Sequence, residues 1–439
     1  MRRVLKVGAL SLVLRIFGLL ASFLMGVVLA RALGPAEYGV YGLVTTLVAL
    51  AMTAGVIGTP QLAVRDLSIF AAGSDFAAIA ATIRKFGRAA SLGSITIALV
   101  SLGVGWWLAR GQPHLSALLL PAALLIPLTA WTTLLSAELR GLGQMMKGQW
   151  MDIFVRPALA FVMTAAWVMT GIALQTSDAL WILVGVTALT TLVSWIWIRQ
   201  AVPHGDASAM TVRQSGWLSA ALFLMAVDFL RTLGGTYGVV MMGWLEDDVA
   251  LGMFRVAFAC NIVVALPVTI LHVILAPNVA QLYKEDRKAE LQRLLSLSST
   301  AMIAMVAPIV VAAYLIGRPA IEFVFGPEYG PAWLPLFYLC VAQLVYGLFG
   351  MAPILLSMCE SERKLFTIYV IATVAGVGTA YPLIPALGAA GAAVAMIVSN
   401  GLIGLLSWHV GRTDLGVDST FSPMLRPTYW KARRPQATQ

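Results

Sequence analysis

Residues 29–41 read LARALGPAEYGVY and join two long apolar segments near the start of the chain. Gly34-Pro35 is corner chemistry, because glycine accepts dihedrals closed to other residues and proline presets φ. Arg31 and Glu37 flank the corner, and Tyr38 and Tyr41 open the second segment. Charge and aromatic rings at the mouth of an apolar helix are what a membrane–water interface selects. The stretch therefore reads as the turn of a hairpin between two membrane helices.

Composition agrees. Of 439 residues, 60% are hydrophobic and 11% charged, against about 25% charged in a soluble domain. So few charges cannot solvate a globular surface of this size. The apolar blocks exceed the roughly 20 residues that cross a bilayer. The start, MRRVLK, imitates a signal peptide, but the apolar run from Val7 to Ala30 is too long for one and Arg15 interrupts it. It reads as a retained first helix. Cys260, Cys340 and Cys359 show no metal or redox spacing and read as small buried hydrophobes. The four histidines form no ligand cluster.

The fold class expected is an all-α polytopic membrane protein with twelve transmembrane helices. The spans fall at about 8–30, 38–58, 89–109, 115–136, 154–174, 179–198, 217–242, 249–275, 297–316, 331–356, 365–384 and 389–409. The last two are divided at Leu387-Gly388, just after Pro382 and Pro385. With the N-terminus in the cytoplasm, 22 of the 29 basic residues lie in cytoplasmic segments. Only Arg31, Arg110 and Arg318 lie outside. This asymmetry explains the net charge of +9 as membrane topology rather than nucleic-acid binding. Both termini are then cytoplasmic.

The chain also reads as duplicated. Gly39-Val40-Tyr41 opens the second span and Gly252-Met253-Phe254 the eighth; Pro60-Gln61-Leu62-Ala63 ends the second and Pro277-Asn278-Val279-Ala280 the eighth. Each pair leads into a stretch with helical periodicity: Phe76, Ile79, Ile83 and Phe86 in one, Leu291, Leu294 and Leu295 in the other. Such stretches are expected to lie in the interface plane. Residues 1–198 form the first six-helix half, 199–216 a cytoplasmic linker, 217–409 the second half and 410–439 a polar tail. Six is even, so the repeat is parallel, about an axis along the membrane normal. Transporters built this way hold substrate between the halves and rock one against the other.

Charge within a span costs roughly 2.5–3.5 kcal/mol and needs a reason. Asp152 and Arg156 are four apart and can pair. Asp228 and Arg231 stand three apart near the middle of the seventh span, followed by Gly234-Gly235. Arg15 and Arg255 lie one to two turns inside their spans, where snorkelling is the alternative to a cavity role. Arg15, Arg231 and Arg255, with Arg31 near the outer mouth, are the candidate substrate-binding set, because guanidinium binds phosphate bidentately and stays charged. Asp228 is the candidate for coupling to a proton or sodium ion. No other cofactor, no metal and no catalytic set is expected.

The stretch Ala30-Arg31 to Tyr41 resembles the N-terminal signature of polysaccharide transporters and lipid-linked oligosaccharide flippases. Their superfamily also holds the MATE drug exporters and the lipid II flippase. The resemblance continues through Ala137 to Gly143, Asp228 to Ala257, Leu275 to Leu294, Phe325-Gly326-Pro327-Glu328-Tyr329 and Leu387 to Ala393. It implies a MATE-like fold, a central cationic cavity and a substrate consisting of a polyprenyl-pyrophosphate-linked glycan. The glycan would move from the cytoplasmic to the outer leaflet of a bacterial inner membrane, for O-antigen, capsule or exopolysaccharide assembly. Polymerase or chain-length proteins of that assembly are the implied partners, besides the lipid bilayer. Some members have fourteen spans; twelve spans and a polar tail set this chain apart from the lipid II flippase subgroup. A MATE-like exporter of cationic drugs or metabolites is the alternative, but it would favour acids and aromatics over four intramembrane arginines. A membrane glycan polymerase or ligase would need a large outer loop with catalytic groups, and the outer loops here are short.

The topology makes a direct prediction. A cytoplasm-active reporter fused after Gln439 gives full signal, and an inactive fusion at full expression would mean an odd number of spans.

Overall fold

The computed structural model describes residues 2–110, 113–202, 216–350, 352–359 and 361–420. The expected linker at 199–216 falls largely outside these residues, as does the tail beyond 420. Contacts divide the chain into two units, Met1–Gly243 and Trp244–Gln439. Both are helical throughout. Among the described residues, ten helices are long and apolar enough to cross a membrane. This is a multi-pass membrane protein.

In the first unit, α1 runs Arg2–Gly55 but breaks at Gly34, whose φ of 75° and ψ of 173° are not helical. Its two limbs are folded together. Twelve residues of unbroken helix would separate Gly26 and Tyr38 by about 18 Å, yet a Cβ on Gly26 would lie 3.1 Å from the Tyr38 hydroxyl. The expected corner is there, but its tyrosines are not interfacial anchors. Tyr38 and Tyr41 are buried and stack with centroids 6.5 Å apart. Glu37 ties the corner to α7 (Thr176–Ala201) by accepting from the Thr176 hydroxyl through its carboxylate.

After α2 (Thr59–Ala72), α3 spans Phe76–Leu108 as one helix about 50 Å long. The stripe Phe76, Ile79, Ile83 and Phe86 is therefore the first part of a membrane helix and not a separate interfacial one. Ile79 and Phe86 are buried in a core with Leu62, Leu67, Ala90 and Leu134. The short helix of this region is α2, preceded by a left-handed Gly58 and packed against α3 and the helix that follows it. Next come α4 (Pro113–Gly141), α5 (Met145–Gln149), a π-helical turn at Trp150–Val155 and α6 (Arg156–Met169). The seam between α4 and α7 is polar, with Thr132 and Thr191 hydroxyls 2.6 Å apart. Helix α8 (Trp217–Leu245) packs its first turns on the junction of α1 and α2.

The second unit begins with α9 (Asp248–Val264) and α10 (Leu266–Lys284), separated only by Ala265. Then α11 runs unbroken over Lys288–Phe325. Leu291 and Leu295 in its first turns are wholly buried, so this stripe too belongs to a long helix. A 3-10 turn, Pro327–Ala332, leads to α12 (Trp333–Leu348), α13 (Ala352–Met358), α14 (Glu362–Leu387) and α15 (Ala389–Asp414). Gly388, at φ 59°, makes the expected turn. Beyond α15 the chain folds back onto the unit. Val417 enters the core, the Ser419 hydroxyl donates to the Phe349 carbonyl at 2.7 Å, and Trp408 Nε1 donates to Asp418 at 2.9 Å. Burial works to raise the Asp418 carboxyl, but hydrogen bonds from Thr420 and Trp408 and the charge of Arg412 hold it below the usual aspartate range.

Gly58 sets how closely α8 sits on α2. A Cβ there would lie 2.3 Å from the Ala221 carbonyl oxygen and 2.9 Å from the Met225 nitrogen, at a φ that already disfavours a side chain. Gly58→Ala is expected to cost about 1–3 kcal/mol. Gly73→Ala, at the other end of α2 and 3.7 Å from its nearest neighbour, should stay within about 0.5 kcal/mol. Thermal unfolding of the two variants in detergent checks the contrast.

Candidate functional site

Asp228 occupies the middle of α8, where a residue three positions on shares its face. Arg231 uses that spacing and places a guanidinium nitrogen 3.5 Å from one Asp228 oxygen. The second Asp228 oxygen accepts from the side-chain amide of Gln61 on α2. Gln61 is the third residue of α2, and the Gly58 contact brings that end of α2 beneath α8. The carboxylate is thus shared between a charge on its own helix and a neutral donor from another. Arg231 remains 68% exposed, so the pair leaves a guanidinium surface open. Sequence reasoning did not find Gln61. The only signal was its place in the Pro60-Gln61-Leu62-Ala63 motif, which reads as a repeat marker rather than a partner.

Arg15 lies in a different place. Helix α1 meets the π-helical turn at Gly18, where a Cβ would lie 1.9 Å from the Ile153 carbonyl oxygen. One turn away, Arg15 acts electrostatically on Arg140 of α4, which also feels Asp152. Asp152 and Arg156 form the expected ion pair at 3.1 Å, each about one quarter exposed. Arg15, Arg140, Asp152 and Arg156 thus form one cluster where α1, α4 and α6 converge. The π-helical turn was not legible, since its extra residue leaves no periodic mark over six positions. Such turns recur at functional sites.

Arg31 stands exposed in the last turn before the Gly34 break. Arg255 belongs to the second unit, on α9, with its guanidinium 5.9 Å from the Phe258 ring. Its Nε is buried and has no hydrogen-bond partner among the described residues. The structure thus joins Asp228 to Arg231 and places Arg15 in a separate cluster of the same unit. Among the described residues no group of three or more histidine, cysteine or acidic side chains could hold a metal.

The helical architecture defines the class. An inward-facing multidrug resistance MATE family transporter of the MOP superfamily superposes with a TM-score of 0.75 at 14% identity, covering 96% of this chain and 100% of the other. An outward-facing MATE family transporter gives 0.64 at 16% identity, covering 94% and 95%. The lipid II flippase MurJ, in an inward closed conformation, gives 0.64 at 13% identity, covering 92% and 87%. At these identities the likeness is one of fold, and the fold is MATE-like. The sequence profile of the polysaccharide biosynthesis protein family matches residues 4–276, and the chain belongs to that family. No curated protein sequence matches the chain significantly.

The Arg15 cluster generates an asymmetric prediction. Asp152 pairs with Arg156 and acts on Arg140, which Arg15 opposes, so Asp152→Asn leaves like charges opposed, whereas Arg156→Gln leaves Asp152 still facing Arg140. Asp152→Asn should cost about 1–3 kcal/mol and Arg156→Gln less, read as the difference in Tm between the two purified variants.

Proposed function

We propose that this protein is a flippase for lipid-linked oligosaccharide, moving a polyprenyl-pyrophosphate-linked glycan from the cytoplasmic to the outer leaflet. The observation that carries the reading is the match to the polysaccharide biosynthesis protein family over residues 4–276, on a fold otherwise seen in transporters. In this reading two six-helix halves, 1–198 and 217–409, are related by a parallel pseudo-two-fold, and both termini are cytoplasmic. They alternate access across the bacterial inner membrane. The protein works by binding and conformational exchange, not by catalysis.

Pyrophosphate recognition is assigned to Arg15, Arg31, Arg231 and Arg255. A guanidinium presents a planar fork of donors that matches phosphate oxygens bidentately. Asp228 is assigned to coupling. Its carboxylate is held by one charged and one neutral donor, so a proton or sodium ion competes with Arg231 for the same oxygens. Taking up the cation would release the guanidinium toward a phosphate.

Arg15, Arg231 and Arg255 changed together to alanine should abolish glycan export while protein level and membrane insertion stay unchanged. The assay is leaflet-resolved: lipid-linked glycan in spheroplasts is probed with a membrane-impermeant sugar-modifying reagent, in a strain lacking a redundant flippase. Loss of function traps the glycan on the protected side. Glycan that accumulates accessible to the reagent would place the protein at a later step. An unchanged distribution in the deletion strain would favour export of a different substrate.

A further inference from the structure

A second cationic site lies in the first unit, away from the residues assigned above. Helices α3, α4 and α7 line an open cavity of about 680 Å³. Each contributes one face at helical spacing. From α3 come Arg84 and Arg88, with Gly87 between them; from α4, Trp131 and Glu138; from α7, Trp195 and Arg199. A Cβ on Gly87 would lie 3.4 Å from the Trp131 ring, so this glycine gives the indole its place in the wall. Arg199 stacks on Trp195 at 3.7 Å, which fixes the guanidinium at the rim. Lys85 is turned away, over the Trp217 ring at 4.3 Å.

At the floor, Glu138 is 1% exposed, and its Oε2 has no hydrogen-bond partner among the described residues. With three arginines and one acid, the cavity stays positive in either protonation state of Glu138. Membrane topology asks for positive charge near the cytoplasmic face. It does not ask three guanidiniums to converge on one cavity beside a buried acid. The wall also continues into lipid-facing surface, since Leu92 is 71% exposed. With the N-terminus in the cytoplasm, this end of the three helices lies at the cytoplasmic leaflet, whose anionic headgroups attract basic residues.

We propose that this cavity binds the phosphodiester headgroup of an anionic phospholipid of the cytoplasmic leaflet. Arg84, Arg88 and Arg199 hold the phosphate, Trp131 and Trp195 flank the glycerol region, and the acyl chains lie along Leu92. The site goes beyond the flippase reading and does not use its residues. It makes the first unit responsive to the lipid composition around it.

The test uses the delipidated full-length protein in detergent, with bound lipid counted by native mass spectrometry and Tm measured alongside. Cardiolipin and phosphatidylglycerol are expected to bind and raise Tm, more weakly as salt rises. Phosphatidylethanolamine and inorganic phosphate should do neither. Arg84→Ala/Arg88→Ala/Arg199→Ala should weaken cardiolipin binding at least tenfold, and the all-lysine counterpart should keep most of it. If the triple alanine variant does not fold, Arg88→Ala alone, at an exposed position, should still weaken binding severalfold. Unchanged cardiolipin binding by either alanine variant overturns the proposal. So does equal binding of phosphatidylethanolamine, or full competition by inorganic phosphate, which would make this a site for soluble anions. None of these outcomes depends on glycan export, so the proposal can fail while the flippase reading stands.

Discussion

A continuous helix of 54 residues would be about 80 Å long, far more than the roughly 30 Å of a bilayer core. The first unit depends on how α1 meets that constraint. Gly34 supplies the one backbone conformation that turns the helix, and the limbs close so tightly that Tyr38 reaches Gly26. Glu37 then fastens the corner to the start of α7. Glu37, Tyr38 and Tyr41, whose chemistry suits a membrane surface, instead hold the two limbs and α7 in register.

Close backbone approach is the second theme, and it follows from the first. Helices in lipid gain little from burying apolar surface against one another, so they rely on tight packing and on satisfied polar groups. A Cβ on Gly93 would fall 2.4 Å from the Gly55 carbonyl, and one on Gly391 would fall 2.1 Å from that of Leu383. Hydroxyls are satisfied within their own helices, as when Thr46 donates to the Gly42 carbonyl at 2.7 Å and Thr379 to that of Ala375 at 2.7 Å. Where α4 and α7 meet, Thr132 and Thr191 link the helices directly. Large apolar residues such as Leu99, Trp107 and Met169 are exposed and face outward.

Much of this was legible in the residues. The apolar blocks mark the helices, Gly34 and Gly388 mark two turns, and the spacing of Asp152 and Arg156 marks their pair, because each is a local consequence of chain geometry. What was not legible is long-range. An apolar stripe at Phe76, Ile79, Ile83 and Phe86 is the same whether it faces headgroups or other helices, and only packing shows that Ile79 and Phe86 enter a protein core. The hydrogen bond from Gln61 to Asp228 joins residues 167 apart. Tyr38 and Tyr41 have the chemistry of interfacial anchors, and burial decides otherwise. The convergence of Arg84, Arg88 and Arg199 is a property of three helices together, which no one of them announces.

The arginines within and beside the spans differ less in chemistry than in what restrains them. Arg156 is tied to Asp152 with both partners three-quarters buried, so freeing it would expose an acid among cations. Arg231 has an acid too, but that acid is also held by Gln61, and most of the guanidinium is exposed. Losing its ion pair therefore leaves Asp228 with a remaining donor. Breaking a buried pair costs about 3–5 kcal/mol because it leaves a charge without a partner, and the Gln61 amide spares Asp228 part of that loss. A cation that must trade a protein carboxylate for a substrate phosphate needs to sit at the weak end of that range. By this measure Arg231 on α8 is the more loosely held charge, and Arg156, paired with Asp152, is held firmly enough to build with.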